Sequence, residues 1–267
     1  MMLGFSRPKR EIPGCVFAGV IEEIGPEVLS FSPGDAVYGI DNKGGAWAEY
    51  KKMPENGALA LIPESLTFEE AAAVPFGGLT ALYFLDKRAR VKSGQKVLVR
   101  GASGVVGSAA VQMAKHLGAE VTGVCGPGSL DWVLSLGADR VIDYTQTDFA
   151  ESGERYDIIL DTVVGKTSFG HCRKVLNPKG SYLAVAGGLA EMRQSLLTSF
   201  SGGQKVVFGG GSDCEKQEAL EYLNVLIKAG RFKPAVDRVF SMDQMIEANR
   251  HVDRGHKAGN TVVRFMT

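Results

Sequence analysis

The sequence predicts an α/β fold in which a doubly wound parallel sheet is joined to a small β-domain. Three observations carry this. From Gln95 onward, six short apolar runs alternate with helical segments, the rhythm of strand–helix–strand units. The first run ends in a glycine-rich turn that opens a helix. Residues 12–75 have a different texture, with short β-type runs broken by Gly, Pro and Asp, which suits a small antiparallel sheet.

Taken in order, Val16 to Ile24, Asp35 to Ile40, Trp47 to Lys51 and Ala58 to Ile62 read as strands. Glu69 to Ala73 and Leu79 to Arg90 read as helical segments that Pro75, Gly77 and Gly78 break apart. Lys96 to Arg100 (KVLVR) reads as a continuous apolar run through Val97, Leu98 and Val99, as a parallel strand buried on both faces should be. A helix over Val105 to Leu117 stops at Gly118, a natural left-handed C′ residue. Strands follow at Glu120 to Cys125, Arg140 to Asp143, Tyr156 to Asp161, Gly180 to Ala186 and Lys205 to Phe208, with helices over Leu130 to Leu136 and near Ser168 to Leu176. The tail reads as a helix over Glu215 to Ala229, a strand over Val236 to Phe240, a helix over Asp243 to Val252 and a strand over Thr261 to Phe265.

Composition narrows the function. Thirty basic and thirty acidic residues give a net charge of zero, which excludes a whole-chain basic field for nucleic acid or an anionic membrane. No apolar run of membrane-spanning length occurs, and residues 1–13 lack the apolar core of a secretory signal. The four cysteines (Cys15, Cys125, Cys172, Cys214) are widely spaced; they form neither a zinc-type cluster nor a disulfide scaffold and suit the cytoplasm. Glycine is abundant, 34 of 267 residues, which points to tight turns or to backbone approaching a ligand.

The central signal is Gly101-Ala102-Ser103-Gly104-Val105-Val106-Gly107, between the first buried strand and its helix. A helix N-terminus leaves backbone N–H groups unpaired and carries partial positive charge, so it suits a pyrophosphate. Gly104 would let the phosphates come close, and Gly107 would let the helix pack on the strand. The spacing G-x-x-G-x-x-G departs from the commonest dinucleotide fingerprint, so two competitors need weighing. A hydrolase elbow, G-x-S-x-G, fails because its second glycine is misplaced. A phosphate loop ending in Gly165-Lys166-Thr167 fails because its first position is Leu160. After Val124 the stretch Cys125-Gly126-Pro127-Gly128-Ser129 contains no acid for a ribose 2′-hydroxyl, and no Arg or Lys for a 2′-phosphate. Ser129 and Tyr144 are the remaining donors, and NADP(H) is the expected cofactor.

Gly14 to Val20, Gly34 to Val37, Gly45 to Tyr50, Ala71 to Pro75, Gly78 to Ala81, Gly101 to Gly107, Leu136 to Asp139, Ile142 to Tyr144 and Tyr156 to Asp161 together resemble the medium-chain dehydrogenase/reductase superfamily, in its zinc-free quinone-reductase-like branch. The resemblance covers nearly the whole chain. It implies a Rossmann domain (81–211) inserted into a GroES-like catalytic domain built from 1–80 and the returning tail, 212–267. It implies NADP(H)-dependent hydride transfer to a quinone, enone or related carbonyl compound, and a homodimer joined near Lys205 to Gly211. A zinc-free alcohol dehydrogenase, an enoyl reductase or a weakly active nucleotide-binding remnant are the alternatives. The implied catalytic residue is Thr80. The expected cofactor contacts are Gly101 to Gly107, Ser129, Tyr144, Asp161, Val164, Ala186 and Gly187; for Asp161, which ends its strand at the carboxyl edge of the sheet, a local capping role is the equally weighted alternative.

Two departures accompany the resemblance. The zinc-dependent branch has Gly-His-Glu where this chain has Gly14-Cys15-Val16, so no metal is expected. Family chains begin several dozen residues before the position of Gly14, so the β-domain is expected to be incomplete and turnover slow. The four histidines (His116, His171, His251, His256) show no ligand spacing.

Overall fold

The structure is a computed structural model and describes residues 11–163, 169–199, 202–209, 217–255 and 257–265. The chain forms two compact units: Met1–Leu79 with Glu215–Gly255 and Asn260–Thr267, and Thr80–Cys214 with His256–Gly259. The segment 256–259 thus belongs with the second unit, whereas the sequence reading kept all of 212–267 with the first.

In the first unit, β1 (Val16–Val20), β2 (Ala36–Ile40) and β3 (Ala58–Leu61) form an antiparallel sheet in that order. The expected strand over Trp47 to Lys51 is not formed. Helix α1 (Phe68–Ala72) opens on a capping box: Thr67 Oγ1 accepts the Glu70 N–H, and Glu70 Oε2 accepts the Thr67 N–H. Helix α2 (Pro75–Leu82) contains Gly77 and Gly78, which the sequence reading took as breakers. Pro75 fits its first turn, where an N–H is not needed. Gly78 is a packing glycine, since a Cβ there would lie 2.7 Å from Leu223 Cδ1. The helix then loosens into a π-helical turn, Tyr83–Arg88.

The second unit holds β4 (Lys96–Arg100), α3 (Val105–His116), β5 (Glu120–Cys125), α4 (Leu130–Ser135), β6 (Arg140–Asp143), β7 (Tyr156–Asp161), α5 (Phe169–Cys172), β8 (Leu176–Ala184), α6 (Leu189–Ser199) and β9 (Lys205–Phe208). The six strands are parallel in the order β6-β5-β4-β7-β8-β9. This is the doubly wound order, with its reversal between β4 and β7. Val97, Leu98 and Val99 are fully buried, which accounts for the unbroken apolar run of β4.

Two expectations needed correction here. Strand β8 starts at Leu176, because the turn-like Asn177-Pro178-Lys179-Gly180 is absorbed by a register shift between Tyr156 and Ile158. Helix α6 was not foreseen; Leu189, Met192, Leu196 and Leu197 on it are exposed, so no clean buried stripe marks it.

The tail of the first unit supplies α7 (Gln217–Lys228), β10 (Val236–Ser241), α8 (Met245–Asp253) and β11 (Asn260–Arg264). Helix α7 buries Leu220, Leu223, Leu226 and Ile227. Fully buried Tyr38 on β2 donates to Asn224 Oδ1 at 2.7 Å, and Asn224 donates to Leu61 O at 2.9 Å. These bonds tie the tail to the first sheet. Among the described residues, no helix is long and apolar enough to cross a membrane.

Candidate functional site

The glycine turn lies at the carboxyl end of β4, where the strand order reverses. Gly101 takes a left-handed conformation at φ +70°, and its carbonyl accepts the Gly104 N–H at 3.0 Å. Gly104 is the N-cap of α3 and offers no side-chain cap. Val105, Val106 and Gly107 form the first helical turn, whose N–H groups have no intrahelical carbonyl and carry partial positive charge. A Cβ on Gly107 would overlap Gly101 O and stand 2.7 Å from Gly101 C and 2.8 Å from Ala102 Cα. Among the described residues, a Cβ on Gly104 would meet only Gly101 O, at 3.5 Å. One glycine is therefore filled by the fold, and the other has room for a side chain among the described residues. A bare helix N-terminus with such a gap over it fits a pyrophosphate. Ser103 O accepts the Gly259 N–H at 2.9 Å, so the 257–259 segment braces the turn.

Ser129 and Tyr144 border the turn after β5. The Ser129 N–H bonds Gly126 O at 3.0 Å, and the Tyr144 N–H bonds Cys125 O at 3.2 Å. The Tyr144 ring lies beside Gly126, 3.5 Å from where a Cβ would be, and is 57% exposed. An exposed aromatic face with a phenol beside a bare glycine turn can receive a ribose or a phosphate.

Asp161 takes the local capping role that was the alternative to a ligand contact. It ends β7 as foreseen, but it is 2% exposed and its carboxylate is committed inward. Oδ2 accepts Arg100 Nη1 and the Tyr182 hydroxyl, the latter at 2.8 Å; Oδ1 accepts the Val163 N–H at 3.0 Å. Both oxygens thus have partners within the fold. Sequence reasoning missed Arg100 and Tyr182. The available signal was the arginine directly after the apolar, buried Val97-Leu98-Val99, because a buried guanidinium requires an anion. Its guanidinium also stands 5.4 Å over the Phe149 ring. Burial, then the Asp161 charge, raises the Tyr182 phenol above its ordinary value and pushes the Cys172 thiol up to about 12. Both stay protonated at neutral pH, so this cluster is a holding network and not a nucleophile.

The other expected residues lie on further elements. Thr80 is half-buried in α2. Ala186 is half-buried just past β8, and Gly187 is exposed. The space at Gly187 is taken by Glu191 Cγ and Phe208 Cε2, at 2.9 and 3.0 Å from a Cβ. Val164 lies outside the described residues. Among the described residues, no three His, Cys, Asp or Glu side chains gather in a way that could hold a metal ion.

Comparison with known proteins follows the same line. A family model described as "Zinc-binding dehydrogenase" matches residues 136–263. The quinone-oxidoreductase QR1 of Triphysaria versicolor is 33% identical over 269 residues, covering 94% of this chain and 79% of that protein. This chain belongs to the medium-chain dehydrogenase/reductase superfamily, in its quinone-reductase-like branch. Another member of the superfamily, 2-methylene-furan-3-one reductase of Solanum lycopersicum, is 33% identical over 269 residues; the match spans 96% of this chain but 64% of that relative. Among solved superfamily structures, the quinone oxidoreductase of Pseudomonas syringae aligns with a TM-score of 0.80 at 27% identity, over 94% of this chain and 81% of that one.

Proposed function

We propose that this chain is an NADP(H)-dependent oxidoreductase that reduces quinones, enones or related carbonyl compounds. The observation that carries the reading is the Gly104 gap over the bare N-terminus of α3 at the β4/β7 reversal. The relatives named as quinone and furanone reductases support the acceptor class.

The second unit is the Rossmann cofactor domain, and the first is the GroES-like catalytic domain. The N–H groups of Val105, Val106 and Gly107 hold the pyrophosphate, and Gly104 lets it approach. Ser129 and Tyr144 border the adenosine ribose. Thr80 is the candidate catalytic residue, its hydroxyl orienting the reacting ring. The nicotinamide, when bound, supplies a hydride to the electrophilic carbon or quinone, and solvent supplies the proton. A positioned donor and acceptor account for most of the rate in such a site. The test is acceptor-dependent oxidation of NADPH across a panel of quinones and enones. Turnover with at least one acceptor is expected. NADPH binding without oxidation by any acceptor would favour a nucleotide-binding remnant instead.

NADPH is expected to bind a few-fold tighter than NADH. The 126–129 turn offers no carboxylate to a ribose 2′-hydroxyl, and Ser129 with Tyr144 makes only part of a phosphate clamp. Fluorescence titration giving equal affinities, or tighter NADH, would reverse the assignment.

A homodimer through the β9 edge belongs to the same reading. Strand β9 pairs with β8 on one side only among the described residues. Helix α6 packs on β9 and leaves Leu189 and Leu197 79% and 68% exposed. An open edge beside an apolar stripe is a surface that a second copy can cover. Light scattering should give a dimer at micromolar concentration, and Val207→Pro a folded monomer. A monomeric parent, or a folded Val207→Pro dimer, would refute this. The unclustered cysteines support a cytoplasmic setting.

A further inference from the structure

We infer that Asp161 is a positioning residue: anchored by Arg100 and Tyr182, it fixes the Thr162–Val163 turn against Gly101 and so sets the shape of the crevice between β4 and β7. The inference rests on the dinucleotide reading of that crevice.

Arg100 and Asp161 are register partners at the ends of adjacent strands. The two carboxylate oxygens do different work. Oδ2 takes both core donors, Arg100 and Tyr182, and locks the group in place. Oδ1 faces the backbone beyond the strand and accepts the Val163 N–H at 3.0 Å. Thr162 is tied to the opposite strand, because its hydroxyl donates to Arg100 O at 2.8 Å. Thr162 is thus pinned to the β4 side, where its N–H also donates to Arg100 O at 3.3 Å, and Val163 to the β7 side through Asp161. They press closely on the glycine turn: a Cβ on Gly101 would overlap Thr162 Oγ1 and lie 3.0 Å from Val163 Cγ2. Gly101 O in turn receives the Gly104 N–H and abuts Gly107. A shift of the Val163 turn therefore reaches the glycines proposed to face the pyrophosphate.

A purely stabilising ion pair would behave differently. Replacing both members of a buried pair with apolar residues is often neutral for stability, but it leaves the Val163 N–H without its acceptor. Two variants separate the cases. Asp161→Asn retains an oxygen for Val163 while stranding the Arg100 charge. The double variant Arg100→Met/Asp161→Leu removes the charge problem and the acceptor together.

The measurements are melting temperature, amide exchange at Val163 and Gly101 to Gly107 in the ligand-free protein, and NADPH affinity by fluorescence titration. We expect Asp161→Asn to melt lower while keeping Val163 protection and near-parental affinity. The double variant should melt between Asp161→Asn and the parent, since it removes the stranded charge but leaves the Tyr182 hydroxyl without its acceptor; it should lose Val163 protection and bind about ten-fold more weakly, the scale of one lost hydrogen bond. Affinity and protection that simply follow melting temperature across both variants would overturn the assignment. Should Asp161→Asn not fold, the double variant decides alone. A parent that binds neither NADPH nor NADH would sink the dinucleotide reading, and exchange at Val163 and Gly101 would still decide whether Asp161 sets the turn.

Discussion

Gly107→Ala lowers the stability of the chain by about 3 kcal/mol, the upper part of the range for forcing one extra carbon into a packed site. The expectation rests on what the new methyl would meet. It would overlap Gly101 O and crowd Gly101 C and Ala102 Cα. All three are backbone atoms of a turn already fixed by hydrogen bonds to Gly104 and Val124, so no side chain can swing aside. Alanine's helix preference over glycine, about 1 kcal/mol, offsets only part of this strain. Relief requires α3 to lift from the turn, and that uncovers the helix whose residues from Val106 to Ala114 are buried. Thermal denaturation should therefore show a large drop, accompanied by loss of NADPH binding. An unchanged midpoint with unchanged binding would mean that α3 does not sit as closely on Gly101 as the geometry requires.

How far the sequence alone could lead differs by element, for physical reasons. Strands β4, β5 and β7 were legible because the interior of a parallel sheet demands largely apolar runs, and the glycine turn was legible because it sits between such a run and a helix. Helix α2 was misread because Gly77 and Gly78 look like breakers in isolation. The reason for Gly78 is Leu223, far along the chain, and local patterning carries no trace of it. Helix α6 escaped because Leu189, Met192, Leu196 and Leu197 point to solvent, so no buried period marks it. In the candidate site, Tyr144 and the glycines were proposed from their positions after strands. Asp161 was placed at the sheet edge, with local capping as the alternative to a ligand contact, but its side-chain partners were not foreseen. Its true partners, Arg100 and Tyr182, come from two other strands, and only the strand order brings them together. Arg100 is the lesson that transfers: a charged residue closing a buried strand signals a buried counter-ion somewhere in the fold.

Gly104→Val is the counterpart of Gly107→Ala, with the losses reversed. Gly104 has φ −77° and ψ 179°, extended backbone that a β-branched residue adopts without strain. Among the described residues its Cβ would meet only Gly101 O, at 3.5 Å, an ordinary contact. Losing glycine as N-cap costs at most about 1 kcal/mol, so the fold should survive with a small shift in melting temperature. The isopropyl group would instead fill the gap over the N–H groups of Val105, Val106 and Gly107. A pyrophosphate held there draws on several charge-assisted hydrogen bonds, each stronger than a neutral one. Holding it away by the width of a side chain should weaken NADPH binding by about a hundred-fold, equivalent to about 3 kcal/mol. Titration with NADPH, with the melting curve as control, reads both quantities on one sample. A stable variant that binds like the parent would place the pyrophosphate elsewhere. A variant that neither binds nor folds would instead show that Gly104, like Gly107, is filled by the fold.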